Sequence, residues 1–238
     1  RNCPLLIAPA MNKEMWLNRA TQRNIKLIHN DDVHISGPEN GEQACGEEGF
    51  GRLINEKILL LDIRRAMGNK KFFNKRILIS CGGTIENIDD ARAITNLSSG
   101  RMGFNIVEAA FTMGAEVTLI YGRTDIPVPE GVNQIYAPNH HEMEQAIMKS
   151  AANHDIFISV AAISDYLPTQ RNGKIKKDKI LKLELTKSTD ILAATASKFS
   201  HLFCVGFSAE SESIIKNGQL KLKNKKVDLI VSNSINES

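Results

Sequence analysis

Beyond residue 75 the apolar positions fall into short runs separated by stretches of helical spacing. The runs Ile77–Ser80, Val117–Tyr121, Ile156–Ala161, Phe203–Phe207 and Leu229–Val231 predict strands. Between them, Met102–Met113, His140–Asn153, Asp190–Lys198 and Glu210–Leu222 predict helices. Strands alternating with helices imply βαβ units and a mainly parallel sheet, whose ligands gather beyond the carboxyl ends of the strands. The region before residue 70 is less regular. Pro4–Pro9 predicts a short buried strand, and Met11, Met15, Trp16 and Ala20 recur at helical spacing over Met11–Asn24. A separate apolar run at Ile25–Ile28, a polar loop from Asn30 to Gly51 and a helix over about Asn55–Met67 follow. Gly68 ends that helix, and the polar, basic Asn69–Lys75 predicts a boundary between domains at 1–70 and 71–238. Within the second region, Gly173–Leu185 interrupts the alternation and predicts an extra hairpin or flap.

The 238 residues, 42% hydrophobic and 24% charged, suffice for one large core or two smaller ones. The formal charge is only +3, and lysines concentrate at Lys174–Lys182 and Lys216–Lys226. That pattern favours a small polyanion over a nucleic-acid duplex as partner. Cys3, Cys45, Cys81 and Cys204 have neither Cys-x-x-Cys spacing nor a histidine pattern suited to zinc, which predicts reduced, cytoplasmic thiols. No run reaches the roughly 20 apolar residues of a membrane span, and no signal peptide is evident, so no membrane partner is expected. A start at Arg1 without methionine predicts a piece of something longer.

The most informative segment is Ile77–Gly103, ILISCGGTIENIDDARAITNLSSGRMG. A strand, the Gly82-Gly83-Thr84 turn and a later helix start make a face where backbone N–H groups can meet an anion. The dinucleotide spacing Gly-x-Gly-x-x-Gly and the Gly-Lys-Ser/Thr ending of a P-loop are both missing, which speaks against an NAD(P)-dependent oxidoreductase. Other strand ends deliver Ala161, Ala162, Asp165, Phe207, Glu210 and Asn233 toward the same crevice. The two alanines would let a base or sugar approach the backbone, and Asp165 could accept from ribose hydroxyls, bind magnesium or simply cap a turn. Phe207 suits either a nucleobase or the core. Lys174, Lys176 and Lys177 could close over phosphates or form a solvated surface. Asn96 offers both donor and acceptor to an acyl intermediate, or a cap, and Ser98 and Ser99 add hydroxyl and backbone donors beside it.

These segments resemble the bifunctional bacterial coenzyme A biosynthesis family, in which a phosphopantothenoylcysteine decarboxylase is fused to a phosphopantothenate–cysteine ligase. ISCGGTIENIDDARAITNLSSGRMG is similar to that family's glycine-rich and dimerisation segment, SVAAISDY to its nucleotide segment and KIKK to its flexible-loop lysines. FCVGFSAE and KNKKVDLIVSN also match in order, while PAMNKEMW and ACGEEGFGR resemble the decarboxylase's Pro-x-Met-Asn motif and substrate clamp. The resemblance implies an α/β fold: a three-layer, Rossmann-like, mainly parallel sheet in the ligase domain, preceded by the C-terminal part of a flavodoxin-like flavoprotein domain. It further implies that 4'-phosphopantothenate is activated by CTP with Mg2+ and that L-cysteine displaces CMP to give 4'-phosphopantothenoyl-L-cysteine. Lys174 and Lys225 would stabilise departing pyrophosphate, Asn96 the acyl-cytidylate, and Gly82 and Gly83 would leave room for the triphosphate. In an FMN-dependent half, Asn12 would hold the substrate carboxylate and Cys45 would protonate the enethiolate. A homodimer through Arg92–Gly103 is implied, with higher oligomers when a complete flavin domain is present. The family's flavin phosphate loop and catalytic histidine precede the Pro-x-Met-Asn motif, and its ligase continues past Asn233. The expectation is therefore no decarboxylation, little FMN binding and weak or absent ligation by this chain in isolation. A non-catalytic flavoprotein-like subunit is the remaining alternative.

Overall fold

The computed structural model describes residues 3–43, 46–176, 182–210 and 212–234. The chain forms two compact units, Arg1–Phe72 with Thr112–Gly114, and Phe73–Phe111 with Ala115–Ser238.

In the first unit, β1 (Leu5–Ile7) is followed by the helices α1 (Lys13–Leu17) and α2 (Arg19–Asn30). β2 (Val33–Ile35) pairs in parallel with β1; β3 (Glu39–Glu42) and β4 (Glu48–Arg52) form an antiparallel hairpin before α3 (Glu56–Met67). The single helix expected over Met11–Asn24 is divided, because Asn18 leaves helical geometry at ψ 134° and its side chain caps α2 by accepting from Ala20 N–H. The apolar run Ile25–Ile28 continues α2 instead of standing apart from it. Its Ile25 and Ile28 lie on one helical face, a spacing that the short window concealed. The polar loop expected over 30–51 contains β2 and the β3–β4 hairpin.

The second unit is built on six parallel strands. β5 (Arg76–Cys81) leads into a hairpin of β6 (Ile85–Asp89) and β7 (Arg92–Thr95), which the sequence pattern did not reveal, then α4 (Arg101–Thr112) and β8 (Glu116–Tyr121). β9 (Asn133–Tyr136), also unforeseen, α5 (His140–Ala151) and β10 (Ile156–Ser159) follow. The short strands β11 (Tyr166–Pro168) and β12 (Leu185–Lys187) pair antiparallel across the expected interruption. The unit ends with α6 (Ile191–Lys198), β13 (Phe203–Glu210), α7 (Ile214–Lys225) and β14 (Leu229–Ser234).

The strand order β14-β13-β10-β5-β8-β9 is the doubly wound order of dinucleotide-binding folds, with the direction of winding reversing between β5 and β10. The core beneath is apolar and closed: Leu78, Ile120, Met143, Ile147 and Phe157 have no exposed surface. Gly103 lets α4 lie directly on β5, since a Cβ there would fall 2.2 Å from that of Cys81. Burial pushes the Cys81 thiol up to about 12 and that of Cys204 to about 11, so both remain protonated packing groups. Among the described residues no helix is long and apolar enough to cross a membrane.

Candidate active site

At the reversal point the strands do not open. Val160 N–H donates to Ser80 O (2.9 Å), Ala162 N–H to Gly82 O (2.8 Å) and Thr84 N–H to Ala162 O (3.3 Å), so β5 and β10 stay zipped past their ends. The crevice is consequently shifted by one strand, over the carboxyl ends of β10 and β13. It is a cavity of about 260 Å³ walled by Ser159–Asp165, by Ser188–Leu192 at the start of α6, by Phe207 and Ala209, and by Lys225.

Ala161, Ala162, Asp165, Phe207 and Lys225 thus meet in one cavity. Asp165 is exposed at the rim, and Phe207 is half-buried in the wall. Asn96 stands beside it, donating from Nδ2 to Ala162 O (3.2 Å) and Ile163 O (3.1 Å). Asn233 pairs with Ala209 on β14 and does not line the cavity.

Gly82 and Gly83 are buried behind the cavity. Gly82 has φ +77°, and a Cβ there would fall 2.5 Å from Arg123 O; one on Gly83 would fall 2.7 Å from Asn96 O. The space beside them is filled by backbone. Ser98 and Ser99 precede α4, with Ser99 Oγ accepting from Arg101 N–H. Lys174 is exposed on the segment after β11. In the first unit Asn12 caps α1, its Oδ1 accepting from Glu14 N–H and Met15 N–H, which leaves Nδ2 without a partner among the described residues. Cys45, like Lys177, lies outside the described residues.

Asp190, which the sequence pattern marked only as the start of a helix, also lines the cavity, and the buried His140 and Thr84 hold two of the lining residues from behind. Asp190 caps α6 by accepting from Ala193 N–H and pairs with Lys225 Nζ at 2.9 Å. Burial raises its pKa, but the Lys225 and backbone hydrogen bonds outweigh that, and the carboxyl is held below its ordinary range. The buried His140 ring meets Thr189 O at 2.9 Å from α5. Thr84, fully buried, accepts from Ser164 N–H. The signal for Asp190 was present in the sequence, as an Asp directly before an apolar helical run.

Among the described residues no three His, Cys, Asp or Glu side chains cluster to hold a metal. Of the two carboxylates on the cavity, Asp190 is paired with Lys225, and the exposed Asp165 fits a magnesium ion, which characteristically takes one or two carboxylates plus substrate phosphates.

The strand order, with a cleft at the carboxyl ends of β10 and β13, defines a Rossmann-like α/β protein. Residues 72–238 match the DNA/pantothenate metabolism flavoprotein C-terminal domain family, to which the chain belongs, and residues 1–63 match the flavoprotein family. The coenzyme A biosynthesis bifunctional protein CoaBC of Vibrio cholerae is 41% identical over 239 aligned positions, covering 98% of this chain and 60% of its own length. The chain therefore spans about 60% of the curated relatives it matches. The crystal structure of the C-terminal domain of a CoaBC protein aligns with a TM-score of 0.60 and 34% identity, over 68% of this chain and 78% of that one. The DNA/pantothenate metabolism flavoprotein from Streptococcus pneumoniae has the same fold, with a TM-score of 0.63 and 23% identity over 69% of this chain and 84% of its own.

Proposed function

We propose that residues 71–238 are a phosphopantothenate–cysteine ligase domain that uses CTP, and that residues 1–70 are the C-terminal portion of an FMN-dependent decarboxylase domain. The observation that carries the reading is the cavity over β10 and β13, where two small residues, an aromatic wall, two acids and a lysine line a space of about 260 Å³ in a chain of this family.

In the first half-reaction a carboxylate oxygen of 4'-phosphopantothenate attacks the α-phosphorus of CTP. The bond to the bridging oxygen breaks, and pyrophosphate leaves. Ala161 and Ala162 admit the nucleoside, and Phe207 packs on the base. Magnesium, held by the phosphates and Asp165, would withdraw charge from the phosphate oxygens. Lys174 and Lys225 stabilise the leaving group, Lys225 exchanging its pairing with Asp190 for a phosphate oxygen. In the second half-reaction the neutral cysteine amine attacks the acyl carbon, CMP departs with the bonding electrons, and the amine gives up a proton. Asn96 exchanges one of its two carbonyl partners for the developing oxyanion, an interaction worth ~3 kcal/mol. In the flavin half FMN would supply the redox chemistry, while Asn12 holds the substrate carboxylate and Cys45 donates the proton. The domain pairs through Arg92–Gly103, a reading supported by Leu97, which is 95% exposed in that segment.

Pyrophosphate release from CTP, dependent on 4'-phosphopantothenate and measured on this chain and on a longer one that continues past Ser238, tests the reaction; release from neither would overturn it. Chemical quench with mass detection of the cytidylate then separates the roles. Lys174→Gln is expected to slow its formation, and Asn96→Asp to let it accumulate while cysteine attack falls. Equal loss of formation in both variants would show the roles to be wrongly divided. A monomer at micromolar concentration by sedimentation would remove the dimer from the proposal.

A further inference from the structure

The β6–β7 hairpin reaches two parts of the second unit. At one end Asn96, just past β7, holds the Ala162 and Ile163 carbonyls beside the cavity. At the other end, Arg171 N–H donates to Ile88 O at 3.0 Å, which lays the segment before Lys174 along β6. Next to it, Asp89 accepts from three donors: Oδ1 from Ala91 N–H (2.8 Å), and Oδ2 from Arg92 Nη1 (2.8 Å) and Ile175 N–H (3.0 Å). The Arg92 guanidinium also faces Ile175 O, at 3.4 and 3.5 Å. Asp89 and Arg92 thus grip both backbone polar groups of the residue that follows Lys174.

The Asp89 side chain has no exposed surface, whereas that of Arg92 is 36% exposed. A buried carboxylate is costly unless its lone pairs are filled, and here they are filled by the hairpin's own turn and by a segment 86 residues away. The Ile175 N–H bond, then that of Ala91, keep the acid below its ordinary range against the opposing effect of burial. Lys174, by contrast, is exposed and has no side-chain partner among the described residues. Its side chain carries the freedom of four single bonds, so what can be fixed is its Cα.

We propose that Asp89 is the positioning residue for Lys174: by clamping the backbone at Ile175 it sets the reach of the lysine ammonium toward the phosphates of the bound nucleotide. The proposal rests on the ligase reading above. It assigns to Asp89 no contact with substrate. An asparagine there has one acceptor oxygen and no charge: with the oxygen at the Oδ1 place Ile175 N–H and Arg92 both face an amide NH2, and with it at the Oδ2 place Ala91 N–H does, while the two remaining bonds lose the carboxylate's charge, so the clamp is weakened in either case.

The test has two readouts. Amide hydrogen exchange needs no activity: Ile175 N–H is expected to be protected, and Asp89→Asn to speed its exchange about tenfold. Fast exchange at Ile175 in the unaltered chain would overturn the clamp. Ile175→Pro removes the same bond from the other side and leaves the hairpin intact, which guards against a folding defect in the Asp89 variant. Cytidylate formation is the second readout, expected to fall about tenfold in Asp89→Asn and Ile175→Pro, with attack by cysteine on preformed intermediate unchanged. In a Lys174→Gln background the same substitutions should change the rate less than about twofold, since there is no longer an ammonium to aim. A full, additive loss in that background would show a merely structural role and overturn the inference alone. The rates are read on a chain extended past Ser238; absence of any CTP-dependent pyrophosphate release from both that chain and this one would overturn the ligase reading, and this inference with it.

Discussion

A Cβ added at Gly82 would stand 2.5 Å from the Arg123 carbonyl, and the residue's φ of +77° excludes an L side chain without strain in any case. Gly82→Ala is therefore expected to destabilise the second unit by about 1–3 kcal/mol, read as a lowered denaturation midpoint with no nucleotide present. If room for a triphosphate were the reason for glycine, the midpoint would hold and only nucleotide affinity would drop. From sequence, the pair Gly82-Gly83 signals a tight turn and an anion face. What it cannot signal is Arg123, forty-one residues further on, crossing behind the turn with Gly83 N–H donating to Arg123 O at 2.9 Å. The small residues Ala161 and Ala162 were legible because they follow an apolar strand directly. Asp89 was not, since its three donors come together only after a hairpin has formed and a distant segment has docked on it.

The elements of the second unit are tied at their ends by carboxylates, and this makes their stability depend on pH. Asp155 Oδ2 accepts from Arg76 N–H at 2.8 Å, joining the start of β5 to the turn before β10, and that bond, outweighing desolvation, holds its pKa down. Asp89 and Asp190 are lowered as well. A carboxyl depressed on folding contributes fully above its unfolded pKa of about 3.9, and the contribution is lost as pH falls through the folded value. Asp155→Asn should accordingly lower the urea midpoint at pH 7, with the difference shrinking steadily below about pH 4. A difference that stays constant down to pH 2 would mean the carboxylate's charge is not what joins these elements. The long buried strands and their helices were readable from period alone. The hairpin β3–β4 was hidden by its composition, since Asn, Glu and Gly dominate it and leave little hydrophobic alternation to read; in β6–β7 the buried positions include the charged Glu86 and Asp89 beside Ile88, so burial there does not follow hydrophobicity. β9 escaped for a related reason, as an edge strand with only one of its four residues, Ile135, being aliphatic.

At the scale of the whole molecule the two units differ in how much they bury. Among the described residues, the first unit contributes only Val33 and Ala66 to the buried apolar set, while the second contributes a closed core around Leu78, Ile120, Met143, Ile147 and Phe157. Met15, Leu17, Leu27, Phe50, Leu53, Leu60 and Met67 of the first unit are half exposed or more, and α2 has no buried residue at all. A sheet of two short parallel strands with so little apolar cover is at the margin of independent stability. Each of these half-exposed leucines forgoes about half of the roughly 1.5–3 kcal/mol that full burial would supply. Unfolding is therefore expected in two steps, the first unit opening well before the second, instead of one cooperative transition. Limited trypsin digestion under native conditions should remove residues up to the basic Asn69–Lys75 connection and leave a resistant fragment beginning near Arg76. The calorimetric trace of that fragment should reproduce the upper transition of the intact chain. A single transition, with both units digested at one rate, would show that the first unit draws its stability from the second and that the boundary is not one of independent folding.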